Sequence, residues 1–318
     1  MRRILILAIK VFVTAALLYF ALRKVDFAEL LSRIDAASFG WLLLAILLAY
    51  VATCASALRW RTICTSCDTP IAVSRAFRFT MIGAFFNQTL PSSMGGDAIR
   101  LWLLARGGAG WRAATYSIFV DRAFGLLALA ILILATLPWS YELITDPVGR
   151  SALVTIDVLA LGAGFGFLLF GGLRIGWFKR LWFLHHIHAS AVVANRMIFN
   201  RTTGPRVAAL SILIHVLTVV IAWCAVRSIA APATFLQVLQ IVPPVIIVTM
   251  IPISIAGWGL REASMGLAFS YAGLSANEGI NVSLLFGIVF FIVGATGGLF
   301  WLSSAESATH GKAGDVTK

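Results

Sequence analysis

Long apolar runs, broken at two matching places, set the pattern of this chain. Six stretches of about 20 residues, at 4–22, 39–58, 117–138, 152–173, 207–227 and 282–302, are apolar enough to cross a bilayer as helices. Between the second and third lies an interrupted segment, 79–105, and between the fifth and sixth another, 236–272. The interruptions share a spacing. Pro91-Ser-Ser-Met-Gly-Gly96 and Pro252-Ile-Ser-Ile-Ala-Gly257 both follow Pro-x-Ser-x-x-Gly, and Gly95 and Gly259 add to the breaks. Charge follows at once: Asp97 and Arg100 in the first case, Arg261 and Glu262 in the second.

In hydrocarbon, Pro and Gly free backbone polar groups, which is tolerated only where protein or a wet cavity receives them. Broken segments at corresponding places in two halves point to a transporter's binding site. Residues 1–138 run span, span, interrupted hairpin, span, and 152–302 repeat that order. Three crossings per half is an odd number, so the second half enters the membrane from the opposite side. The limbs 79–90, 97–104 and 260–272 are short of a full crossing, and Pro243-Pro244 is expected to split the remaining one. The predicted fold class is an all-α polytopic membrane protein. It has six full transmembrane helices plus two re-entrant hairpins (eight spans if these cross fully) in an inverted-topology repeat. One transmembrane domain, 1–302, is followed by a short tail, 303–318.

Composition agrees. Hydrophobic residues make up 60%, charged ones 12%, and the mean hydropathy is +0.94, which excludes a soluble domain. The net charge of +12 reports orientation. With the N-terminus in the cytoplasm, 17 basic residues fall inside and six outside, with Lys10 and Arg122 within spans. That asymmetry predicts a multi-pass protein with both termini cytoplasmic. The charges are juxtamembrane and not gathered in a soluble domain, so nucleic-acid binding is not expected.

Asn87-Gln-Thr-Leu-Pro-Ser-Ser-Met-Gly-Gly-Asp97 with Arg100, Asp121-Arg122 at a span start, and Ile251-Pro-Ile-Ser-Ile-Ala-Gly-Trp-Gly-Leu-Arg-Glu262 together resemble the lysylphosphatidylglycerol synthase transmembrane-domain family. The resemblance runs from about Lys10 to Leu302. It implies a flippase-like protein of a bacterial inner (plasma) membrane, acting on a phospholipid or polyprenyl-phosphate-linked lipid. In the family's best-known members a separate C-terminal domain makes the lipid. Only 16 residues follow Leu302, so a stand-alone member, working beside a separate lipid-modifying enzyme, is expected.

A phosphate in the membrane core needs its charge compensated. Arg100 and Arg261 are expected to line one polar cavity and offer bidentate contacts to it. Helix N-termini near Asp97 and Leu260 are expected to aim at the same place. Arg100 and Arg261 have a bland alternative, pairing with Asp97 and Glu262 respectively. Ser93 and Ser254 occupy matching positions and suit helix capping more than ligand contact. Asn87 either lines the cavity or satisfies freed backbone. Arg122 either joins the site or snorkels to headgroups. No cofactor is expected: a single Cys64-Thr-Ser-Cys67 lacks a second ligand pair, the histidines at 185, 186 and 188 have no acidic partners, and no nucleotide-phosphate loop occurs. An enzyme acting on a lipid, a glycosyl- or phospho-transferase, remains the rival. So does an accessory protein of lipid or cell-envelope biosynthesis. With 13 acids and no evident cluster, the enzyme lacks visible acid–base machinery.

Overall fold

A computed structural model of the protein describes residues 19, 33, 35–90, 94–173, 181–251 and 253–313. The predicted span at 4–22 with Lys10, and Pro91, Ser93 and Pro252 of the two breaks, lie outside the described residues. Ten α-helices are found among those described: α1 (Ala36–Ser66), α2 (Val73–Thr89), α3 (Gly95–Leu104), α4 (Trp111–Leu143), α5 (Pro147–Gly172), α6 (Trp182–Ile198), α7 (Thr203–Ser228), α8 (Phe235–Thr249), α9 (Leu260–Tyr271) and α10 (Ala276–Ala313). A π-helical turn, Ala105–Ala109, extends α3.

Local chemistry starts several of them. Asp35 and Ser38 form a reciprocal capping box at α1, and Thr234 and Gln237 form one at α8. Asp146 caps α5 through the Gly149 N–H, with Pro147 in the first turn. Helices α1, α4, α5, α7 and the Ala276–Ser303 part of α10 are long and apolar enough to cross a membrane. They correspond to the five predicted spans that fall within the described residues. The protein is an all-α, multi-pass membrane protein.

The interrupted segments form helical hairpins, α2–α3 and α8–α9. At about 1.5 Å per residue their limbs measure roughly 26, 15, 23 and 18 Å, against a hydrocarbon core of about 30 Å. The expected split of α8 at Pro243-Pro244 does not occur: the helix runs unbroken from Phe235 to Thr249. Two missing N–H donors leave only the carbonyls of Leu239 and Gln240 without their usual partners, and packing on both sides of α8 holds the helix through that gap.

Packing is preserved in outline when α1 is exchanged with α7, α2 with α8, α3 with α9 and α4 with α10. The contact of α2 with α10 has its counterpart in α8 with α4, α3–α4 in α9–α10, and α1–α2 in α7–α8. Helices α1 and α7 pack most extensively of all, and they are antiparallel: Ser38 Oγ donates to the Ser228 carbonyl at 2.5 Å, and Arg59 Nη1 to Ser211 Oγ at 3.2 Å. Small residues make that approach possible. Ala45, Ala49 and Ala52 of α1 are buried with Ala222 and Ala225 of α7, while Leu43, Leu47 and Val51 of α1 face outward.

Candidate functional site

The first hairpin carries a buried chain of charges. Arg59 of α1 donates through Nε to Asp121 Oδ1 of α4 at 2.8 Å. Asp121 Oδ2 accepts from Arg100 Nη2 of α3 at 3.1 Å, and Arg100 Nη1 donates to Asp97 Oδ1 at 3.1 Å. Asp97 Oδ2 then accepts from Arg122 Nε. The Arg100 guanidinium also lies 4.2 Å over the Trp60 ring, whose Nε1 donates to Ser117 Oγ at 3.3 Å. Among the described residues the network joins three guanidiniums to two carboxyl groups. The break is tight here. A Cβ on Gly96 would run into the Gly83 carbonyl oxygen, and the Gly96 N–H donates to Asn87 Oδ1 at 2.8 Å.

The second hairpin repeats the plan with different partners. Arg261 Nη2 and Nε donate to Glu262 Oε1 at 2.8 and 3.1 Å, and Nε also reaches Ser283 Oγ of α10 at 3.1 Å. Glu262 is 0% exposed; its Oε1 accepts from Ser283 Oγ at 2.9 Å and its Oε2 from the Gly259 N–H at 2.6 Å. Arg261 stands over Trp258 at 4.8 Å. The backbone there turns through the left-handed region at Ala256, Gly257 and Gly259, with φ of 53°, 79° and 80°. Only glycine enters it freely, so Ala256 is held there at some strain.

Between the hairpins lies a cavity of about 420 Å³. Asn87, Gln88, Arg122, His215, Thr218, Thr249, Gly257 and Arg261 supply its polar wall, and Val242, Val245, Ile246, Met265, Phe286 and Phe290 its apolar one. Among the described residues no carboxylate lines it. The Arg122 side chain keeps 35% of its surface exposed and Arg261 keeps 11%. His215 of α7 donates from Nε2 to the Gly125 carbonyl at 2.9 Å, which leaves Nδ1 as its free acceptor.

The structure therefore brings Arg122, Arg261 and Asn87 together but places Arg100 elsewhere, buried and taken up by two carboxylates and an indole. The helix N-termini are partly closed by the chain's own groups, Asn87 on Gly96 and Glu262 on Gly259. Ser254 does not cap α9; Gly259 occupies that position, and Ser254 Oγ is buried without a hydrogen bond. Asp97 and Glu262 stand behind the cavity arginines and fix them. The span start containing Asp121-Arg122 begins earlier than expected, at Trp111, so both residues sit three turns into α4.

Sequence reasoning missed Arg59, His215 and Ser283. The predicted span stops at 58, just short of Arg59, yet α1 continues to Ser66 and buries it. A signal for Ser283 did exist. The offset of 161 that aligns Pro91 with Pro252 and Arg100 with Arg261 also aligns Arg122 with Ser283, and both partner a hairpin acid.

The other candidates have structural uses. His186 Nδ1 meets Tyr116 Oη at 2.8 Å, and His188 Nε2 the Leu173 carbonyl at 2.8 Å. Burial pushes the Cys67 thiol up to about 12. Among the described residues no group of three or more His, Cys, Asp or Glu is placed to hold a metal.

The family model described as the lysylphosphatidylglycerol synthase TM region matches residues 7–298. The chain belongs to that family. No curated protein and no solved structure matches it.

Proposed function

We propose that this member of the lysylphosphatidylglycerol synthase transmembrane family moves a phosphate-bearing lipid headgroup across the bacterial inner membrane without altering it. One observation carries the reading: a cavity walled by both hairpins presents the guanidiniums of Arg122 and Arg261 and, among the described residues, no carboxylate. Guanidinium forks match phosphate oxygens in pairs, and in a site shielded from water such contacts are stronger than at a surface. Asp97, Glu262 and Ser283 hold the two forks in place before a ligand arrives.

The two halves act as an inverted repeat, with α1 against α7 as its antiparallel centre. Alternating access would rock one hairpin against the other around the fixed cavity. The termini lie in the cytoplasm, on the side of the basic excess. The substrate is a phospholipid or a polyprenyl-phosphate-linked lipid, whose tails stay in the bilayer while the headgroup enters. The membrane potential supplies about 2.3 kcal/mol per charge per 100 mV for the transfer.

Purified protein in liposomes should speed loss of a fluorescent headgroup-labelled lipid from the leaflet that a quencher does not reach. The recovered lipid should have unchanged mass. Arg122→Lys and Arg261→Lys, which keep charge but lose the fork, should slow exchange while the protein remains folded. A new mass species would make the protein an enzyme. Wild-type rates in both variants would refute the phosphate clamp.

A further inference from the structure

An acid sits in the middle of α5, away from the site above. Asp157 is ten residues past Pro147 in a helix of 26, and so within about 4 Å of the helix midpoint. It is 2% exposed, and its Oδ1 is buried without a hydrogen-bond partner. Helix α5 packs on α4, α6 and α8, and its Gly149 lies against the titratable Tyr271 of α9, about two turns before the acid. Gly149 lies against Ile144 and Gly164 against Leu127, so α4 runs antiparallel to α5 and brings roughly Ala135 level with the acid.

The charged and titratable neighbours are all distant along those helices. On α4, Asp121 and Arg122 lie about four turns one way and Glu142 two turns the other. Helix α8 has no charged residue. Helix α6, with His185, His186, His188 and Arg196, meets α5 where Asn195 donates to the Leu168 carbonyl, about three turns away. On α5 itself Arg150 is engaged with the Ile144 carbonyl at 2.6 Å and over the Tyr141 ring, and Asp146 caps the helix. Among the described residues, no cation pairs with Asp157.

An ionised carboxylate without a counter-ion is disfavoured in hydrocarbon, and such a group takes up a proton instead. The acid's helix also borders the second hairpin. Leu153 and Ile156, one turn and one residue before it, line an apolar groove of about 220 Å³ with Pro244 and Val245 of α8, and Val245 lines the headgroup cavity as well.

We propose that Asp157 is a proton-binding site inside the membrane, protonated in the described conformation and exchanging with water when the α4–α5–α8 face opens. The step is transfer of a proton from hydronium to one carboxylate oxygen, leaving water, and its reverse; no other bond changes. As the coupling ion for headgroup transfer, this proton rests on the function proposed above. As a binding site it does not.

The experiment has two arms. Wild-type protein in lipid nanodiscs is treated with dicyclohexylcarbodiimide, which adds across a protonated carboxyl, and the N-acylurea adduct is mapped by mass spectrometry. Asp157 should be labelled at least about tenfold more by this membrane-soluble reagent than by a permanently charged carbodiimide, and Asp157→Asn, a neutral isostere, should melt within about 2 °C of wild type. Equal labelling by both reagents, no adduct at Asp157, or a melting loss above about 5 °C in Asp157→Asn would overturn the site. In the second arm, an imposed pH gradient should change headgroup exchange in wild-type liposomes and leave Asp157→Asn exchange indifferent to it. Gradient-independent wild-type exchange would overturn the coupling. Absence of any exchange would fail the transport reading, with the labelling result still deciding the proton site.

Discussion

Replacing Gly287 by alanine displaces the Arg261 fork without removing a charge. A Cβ built on Gly287 would collide with Arg261 Nη2 and stand 3.0 Å from its Cζ and 2.8 Å from the Trp258 ring. Ordinary carbon contact begins near 3.5 Å, so the guanidinium must retreat by about 0.5 Å or more. Its hydrogen bonds, now 2.8 Å to Glu262 and 3.1 Å to both Glu262 and Ser283, would reach the limit at which such bonds fail. Bonds to charged groups contribute about 1.5–3 kcal/mol each. Losing one at the cavity corresponds to roughly a 10- to 150-fold fall in headgroup exchange, read in liposomes. The stability arm needs no substrate. Gly287→Ala should lower the melting temperature of the wild type by more than it does in an Arg261→Ala background, where the Trp258 ring alone stays in the way of the added carbon. Gly162→Ala, with nothing within 4 Å of the added carbon, should change neither reading. Equal penalties for Gly287→Ala in both backgrounds would refute the claim that Gly287 exists to seat this arginine.

Three further outcomes follow from the geometry. Asp121→Asn removes the carboxylate that pairs with Arg59 and weakens the hold on Arg100, so intrinsic tryptophan melts should show a loss of about 3–5 kcal/mol, against about 1 kcal/mol or less for a surface pair. Gly96→Ala sets a methyl group against a backbone carbonyl that cannot swing aside, so folded protein should be lost from the membrane fraction, whereas Gly40→Ala, with open space around it, should be recovered normally. The Cys67 thiol, pushed up to about 12 by burial, has roughly one part in 10⁴ as thiolate at pH 8; iodoacetamide should alkylate it slowly there and faster as pH rises, and an ordinary rate at pH 8 would contradict its burial.

The apolar runs alone were enough to determine the class and five of the spans, because a helix in hydrocarbon must satisfy its backbone internally and needs a fixed length of apolar residues to do so. The paired Pro-x-Ser-x-x-Gly breaks likewise located both hairpins, since nothing else in an apolar chain explains two clusters of helix breakers followed by charge. What the sequence could not settle was which cation faces the cavity. Arg100 and Arg122 are both three residues or fewer from an acid in the sequence or in space, and no local rule separates them. Tertiary packing decides: α1 brings Trp60 over Arg100 and Arg59 onto Asp121, consuming the first guanidinium, while the turn of α4 points Arg122 past Asp97 into the space beside α7. Arg59 and His215 join through helices far apart in sequence, and Ser283 through a helix that follows the second hairpin. Local pattern sets where a helix begins and which face is apolar. Which charge is buried against which depends on helices meeting across more than a hundred residues of chain, and only the packed bundle holds that information.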